Sequence, residues 1–144
     1  MTTEDLVDYV LNKSGIVFDR LKINKKKDKV YVTTYSRNIP NLKIFEATYA
    51  FEYNKGGDYF RFCILGIVID KLPCVIEEIK ERFPNLKHKN GSWFRVYFGD
   101  TYHKNYLNRS DADVKKDVDS AIAEMKSFMN NTEKEFFTFI ENKR

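Results

Sequence analysis

Apolar residues recur at two different periods along this chain, and the switches between them mark its elements. Leu6, Val10 and Lys13, with Tyr9 beside them, follow the 3.6-residue period of a short helix. Thr3 is placed to cap its start and Ser14-Gly15 to end it. From Ile16 the pattern turns extended. Residues 16–18 and 21–23, a Lys-rich turn, and residues 30–35 with their β-branched and aromatic side chains predict a hairpin with a basic tip. After the breaker Arg37-Asn38-Ile39-Pro40-Asn41, the residues Phe45, Ala47, Tyr49, Phe51 and Tyr53 alternate with Glu46, Thr48, Ala50 and Glu52. That alternation predicts a strand with one wet face.

Asn54-Lys55-Gly56-Gly57-Asp58 reads as a hairpin turn, because glycine supplies the positive φ that short antiparallel connections need. Residues 59–69 are apolar on both faces, which predicts a central strand covered on both sides. Pro73 suits the first turn of a helix carrying Val75, Ile76, Ile79 and Phe83 and closed by Pro84. A polar loop follows, then a strand over 93–98 ended by Gly99-Asp100. The last quarter is an amphipathic helix, with Val114, Val118, Ala121, Ile122, Met125, Phe128 and Met129 on one stripe and Ser110 and Asp113 set as a capping box. Asn130-Asn131-Thr132 kinks it or restarts a second helix bearing Phe136, Phe137, Phe139 and Ile140. The order α-β-β-β-β-α-β-α predicts one α+β domain spanning 1–144. Its antiparallel sheet has about four to five strands packed by helices, with a long C-terminal amphipathic helix.

Composition narrows the class. The chain has 144 residues, 42% hydrophobic and 32% charged, and no apolar run approaches the ~20 residues that span a bilayer. The opening Met1-Thr2-Thr3-Glu4-Asp5 is no signal or transit peptide, so a cytoplasmic location is expected and a membrane role is not. Charge is unevenly spread. Residues 20–29 hold six Lys or Arg against Asp28, and residues 80–109 hold seven against Glu81 and Asp100, +5 in each case, whereas residues 110–142 carry eight acids against four lysines, −4. A basic end and an acidic end are expected.

Catalytic chemistry finds no constellation to carry it. Cys63, Cys74, His88 and His103 lack the paired spacing of a zinc site, and no nucleophile turn or phosphate-cradling glycine loop occurs. Glu46 and Glu52, with Asp58 and Lys43 or Lys55, are the nearest approach to a metal-dependent nuclease. They share a strand face but stand roughly 20 Å apart, too far for one ion. No enzyme activity, metal or cofactor is expected.

Binding has better support. The basic residues Lys87, Lys89, Arg95, Lys104 and Arg109 are interleaved with Trp93, Tyr97, Tyr102, His103 and Tyr106. Cations that hold phosphate beside rings that stack on bases suit single-stranded nucleic acid, and the same mixture suits a protein hot spot. A turn carrying Lys25, Lys26, Lys27 and Lys29 adds ammonium groups at a hairpin tip. The bland reading makes the 93–98 segment a core strand and both turns solvated. The terminal segment 136–140 is apolar enough to pair with a second copy of the chain if left uncovered.

The run YFRFCILGIV, then VIEEIKERFPNL, then SWFRVYF, then a terminal amphipathic helix resembles small α+β accessory domains of unknown function in bacterial and phage proteins, some joined to nucleases. The resemblance implies a setting of DNA processing, restriction or antiphage conflict and assigns no site residue. Two functions are therefore expected in order: a non-catalytic protein recognising a nucleic acid or a nucleic-acid-processing protein, or a phage or mobile-element inhibitor of a defence system, of anti-CRISPR or anti-restriction type. The inhibitor would work through Asp111, Asp113, Asp117 and Asp119 as phosphate mimics. A degenerate nuclease is the third.

Overall fold

The strand whose two faces are both apolar lies in the interior of the sheet, with a neighbour on each side. A computed structural model describes residues 1–18, 20–23, 30–39, 46–68, 76–89 and 93–143, and the side chains at 20–23, 30–32, 46, 66–68, 89 and 93 lie outside the description. Its strands are β1 (Arg20–Ile23), β2 (Val30–Asn38), β3 (Glu46–Asn54), β4 (Tyr59–Val68), β5 (His88–Lys89) and β6 (Trp93–Lys104). Its helices are α1 (Thr3–Ser14), α2 (Ile76–Arg82), α3 (Asp111–Asn131) and α4 (Glu133–Glu141). All strand pairs are antiparallel, in the order β1-β2-β3-β4-β6-β5. The class is α+β as expected, with four strands of nine residues or more and short strands β1 and β5 at the edges.

Register stacks the side chains into rows across the sheet. Tyr35, Tyr49, Ile64 and Val96 form one row, and Thr33, Phe51, Phe62 and Phe98 the next. All four helices cover this face. Leu6 and Val10 come from α1, Ile79 from α2, the stripe from Val114 to Phe128 from α3, and Phe136, Phe137 and Ile140 from α4. Aromatic rings fill the space between the layers: Phe98 lies 5.5 Å from Phe128, and Phe136 lies 5.1 Å from Phe137 and 5.4 Å from Phe83. Most of the chain's aromatic residues, 15% of the sequence, are spent here. Phe136, Phe137 and Ile140 are covered by the chain's own core, so the segment expected to meet a second copy is already buried.

Several boundaries move from the sequence reading. Thr2, whose hydroxyl accepts from the Asp5 amide, is the cap of α1 in place of Thr3, and Gly15 closes the helix at φ 65°. Residues 16–18 form no strand. β6 does not stop at Gly99; the glycine takes φ 69°, the register shifts between Phe60 and Phe62, and pairing resumes to Lys104. A positive φ lets the strand bulge and continue. Thr132 separates α3 from α4, so the Asn130-Asn131-Thr132 segment restarts the helix. The sequence predicts cover on both faces of β4 and helices packed on the sheet. Among the described residues, the helices pack on one face and leave the other without a helix.

α4 docks on the sheet through a charge. Glu133 is 2% exposed, with Oε1 3.2 Å from Nε of Arg37 and Oε2 accepting a short hydrogen bond from the Tyr49 hydroxyl. Burial, then the bond to Glu133, push the Tyr49 phenol far above its usual range. A buried carboxylate persists only when its oxygens are satisfied.

His103 is a second polar group in the core. It is 4% exposed and stacks on Phe60 with ring centres 4.6 Å apart. Nδ1 is 3.5 Å from Oδ2 of Asp117, too far for a well-formed bond, and neither ring nitrogen has a hydrogen-bond partner. A Cβ on Gly99 would sit 2.9 Å from Nε2, so the glycine makes room for the ring as well as for the bulge. Burial lowers the His103 pKa and outweighs the attraction of Asp117.

Two outcomes follow for stability. Tyr49→Phe removes a donor from a buried carboxylate and is expected to cost about 1–3 kcal/mol in urea unfolding; an unchanged midpoint would mean that Arg37 alone satisfies Glu133. For His103 the folded pKa lies below the unfolded value of about 6.5, so the unfolded chain binds the proton first. Stability is full above pH ~6.5 and falls as the pH drops towards the folded pKa. Thermal unfolding at stepped pH should show a loss over that window that His103→Phe diminishes.

Candidate nucleic-acid interface

Alternation that sends Tyr49, Phe51, Phe60 and Phe62 to the helices sends their neighbours to the opposite face. There Thr34, Ala50, Cys63 and Tyr97 form one cross-strand row, and Glu52 stands opposite Arg61 in the next. Among the described residues no helix packs on this face, and Ala50, Cys63 and Tyr97 form a small cluster of their own with Leu65.

Arginine organises the centre of the face. Arg61 Nε donates to Oε2 of Glu52 in a short ion pair, and Arg95 Nη1 lies 3.4 Å from Oε1 of the same carboxylate. Glu52 is therefore held from two strands at once. Arg61 Nη1 also donates to the Tyr102 hydroxyl at 3.1 Å, and its guanidinium lies 5.3 Å from the Tyr102 ring centre and 6.0 Å from that of Tyr97. Burial alone would lower the Arg61 pKa, but Glu52 more than offsets it and the net shift is upward, so the cation is secure.

The hairpin end of the face is more open. Tyr59 and Lys104 are opposite one another, and the Tyr59 ring meets Tyr102 edge to face at 5.0 Å. Asn54 Nδ2 donates to the Tyr59 hydroxyl at 3.3 Å, which fixes the ring against the turn. Lys55 in that turn and Lys104 are exposed, and Tyr59 and Tyr102 are half-buried. Ile23 and Val30, the described ends that flank the Lys25, Lys26, Lys27 and Lys29 turn, lie at this same end of the sheet. The turn itself lies outside the described residues.

The titratable groups at the centre of the face are neutral or already paired. Burial, then Glu52, push the Cys63 thiol up to about 12, which leaves it neutral, and burial raises the Tyr97 phenol. No group of three His, Cys, Asp or Glu able to hold a metal occurs among the described residues. Glu52, a candidate for a nuclease ion, is committed to two arginines, and Asp58 accepts from the Leu107 amide at 2.9 Å. Cys74 lies outside the described residues, as do the side chains of Lys89, Trp93 and Glu46.

The structure thus splits the basic aromatic segment. Arg95, Tyr97, Tyr102 and Lys104 come together on the face. His103 and Tyr106 go to the core, the latter with its hydroxyl 3.1 Å from Oγ1 of Thr3. Lys87 and Arg109 turn to α3: Lys87 Nζ donates to the Gly99 carbonyl at 2.7 Å and pairs with Glu124, while Arg109 binds Asp117 at 2.5 Å. Burial would raise the Asp117 pKa, but Arg109 outweighs it and holds the carboxyl below the usual range.

The acidic start of α3 is largely spent inside the molecule. Asp111 pairs with the Met1 amine at 3.2 Å, Asp117 with Arg109, and Asp119 accepts from the Tyr9 hydroxyl at 2.6 Å. Asp113 is exposed, and its amide donates to the Ser110 cap. Sequence reasoning passed over Arg61 and Tyr59, and weighed Lys55 only for a nuclease site. The signal was present, because the Asn54 to Asp58 turn fixes the register that sets Glu52 against Arg61.

Comparison with family models, with curated proteins and with solved structures finds no match for this chain.

Proposed function

We propose that this chain is a non-catalytic binding protein that holds single-stranded nucleic acid on the face of its sheet opposite the four helices. The observation that carries the reading is the gathering of Arg61, Arg95 and Lys104 with Tyr59 and Tyr102 on one face, beside Lys55. Residues from β4, β6 and the β3–β4 turn, distant in sequence, supply one basic aromatic surface.

The physics favours a single strand over a duplex. Tyr59 and Tyr102 present partly exposed rings on which bases stack with little regard to sequence, each stack contributing about 1–3 kcal/mol. Lysines at the hairpin end supply mobile charge for the backbone, and the arginines supply fixed, planar donors. Occupancy without turnover fits a neutral thiol and a carboxylate already paired. The inhibitor reading is the weaker one, because three of its four aspartates already have partners within the chain.

Fluorescence anisotropy with a labelled oligothymidylate tests the proposal. Affinity should fall steeply between about 50 and 200 mM salt, with a log–log slope of roughly −0.7 per phosphate held. Lys104→Glu should weaken binding and flatten that slope, and Tyr102→Ala should cost roughly tenfold or more. Binding that is indifferent to salt and to both substitutions would sink the reading.

A further inference from the structure

Two guanidiniums face one carboxylate at the centre of this surface, and the imbalance has a chemical meaning. Glu52 offers one negative charge and is 8% exposed; Arg61 and Arg95 bring two positive charges. Cys63 and Tyr97 beside them are neutral, as their raised pKa values require. The patch therefore carries one surplus positive charge in a place only partly reached by water, where charges interact more strongly than in bulk solvent.

The surplus falls on Arg95. Arg61 is committed to Glu52, to the Tyr102 hydroxyl and to two rings, and its side chain is 15% exposed. Arg95 is 27% exposed and, among the described residues, makes one ion pair, at the long distance of 3.4 Å. A guanidinium has five N–H donors in a planar fork, so Arg95 keeps donors beyond that one ion pair for an incoming oxyanion.

We infer that the patch is a seat for one phosphodiester, the internal linkage of a strand, bound at Arg95, and that Glu52 is a specificity-determining residue that turns away the doubly charged phosphate of a strand end. The inference rests on the nucleic-acid reading and deepens it. A diester carries one negative charge and neutralises the surplus. A terminal monoester carries about −1.5 to −2 at neutral pH and would set uncompensated charge against the buried Glu52 carboxylate. The site is thereby matched to the middle of a strand and indifferent to its ends.

The test uses the full chain and two oligothymidylates of equal length, one with a 5′-hydroxyl and one with a 5′-phosphate. The wild-type chain should bind both with equal affinity. Arg95→Gln should weaken both by about tenfold, the loss of a charge-assisted contact. Glu52→Gln removes the repelling charge and should favour the 5′-phosphorylated strand by on the order of fivefold. A wild-type preference for the phosphorylated end overturns the inference, as does unchanged binding by Arg95→Gln. So does a Glu52→Gln chain that melts as wild type does and shows no end preference. Should Glu52→Gln fail to fold, the wild-type and Arg95→Gln arms decide the matter. A wild-type chain that binds neither strand removes the nucleic-acid reading together with this inference; failure of the end comparisons alone leaves that reading standing.

Discussion

A sheet can give its most apolar rows to only one layer of helices, and here that constraint decides the character of everything on the other side. Phe51, Phe62 and Phe98 lie against α3 and its neighbours, so period-two alternation obliges Glu52, Arg61 and Tyr97 to face away. Those residues cannot be covered by more hydrophobic surface without stranding charge. The solution is self-neutralisation: the Glu52 carboxylate is shared by two arginines, and the Arg61 guanidinium lies over two tyrosine rings. The same device that makes the face tolerable leaves it basic, aromatic and donor-rich.

Charge performs a different task on the helix side. Glu133 beneath Tyr49 and Arg37 fixes where α4 starts, and the aspartates of α3 tie it to Met1, Tyr9 and Arg109. These bonds connect elements far apart in the chain, so a count of acids along a helix misstates how much negative charge is presented outward. Exposed ion pairs contribute little each, and their value lies in fixing geometry.

Period and turn chemistry made the architecture legible. Alternation in β3, the Asn54 to Asp58 turn, the doubly apolar β4 and the stripe of α3 were all readable from residue order. β5 was not, since two residues carry no periodic signal, and neither was the run of β6 past Gly99, where a turn residue serves as a bulge. At the site, Arg95, Tyr97, Tyr102 and Lys104 were legible because they follow one another along a strand. Their partners Glu52, Arg61 and Tyr59 depend on register between strands. His103 misled because its parity relative to the bulge decides which face receives it, and Tyr106 because it lies in the turn beyond the end of β6.

The bulge at Gly99 also bears on how copies of this chain treat one another. Among the described residues, the outer side of β6 beyond the two residues of β5 has no partner strand, yet the Gly99 amide is already bonded to Glu124 and its carbonyl to Lys87. A register shift and a captured peptide group blunt the edge on which β-sheet polymers would nucleate. What looks like an irregularity in one strand thus works with the short edge strands to leave fewer backbone groups for another strand to pair with.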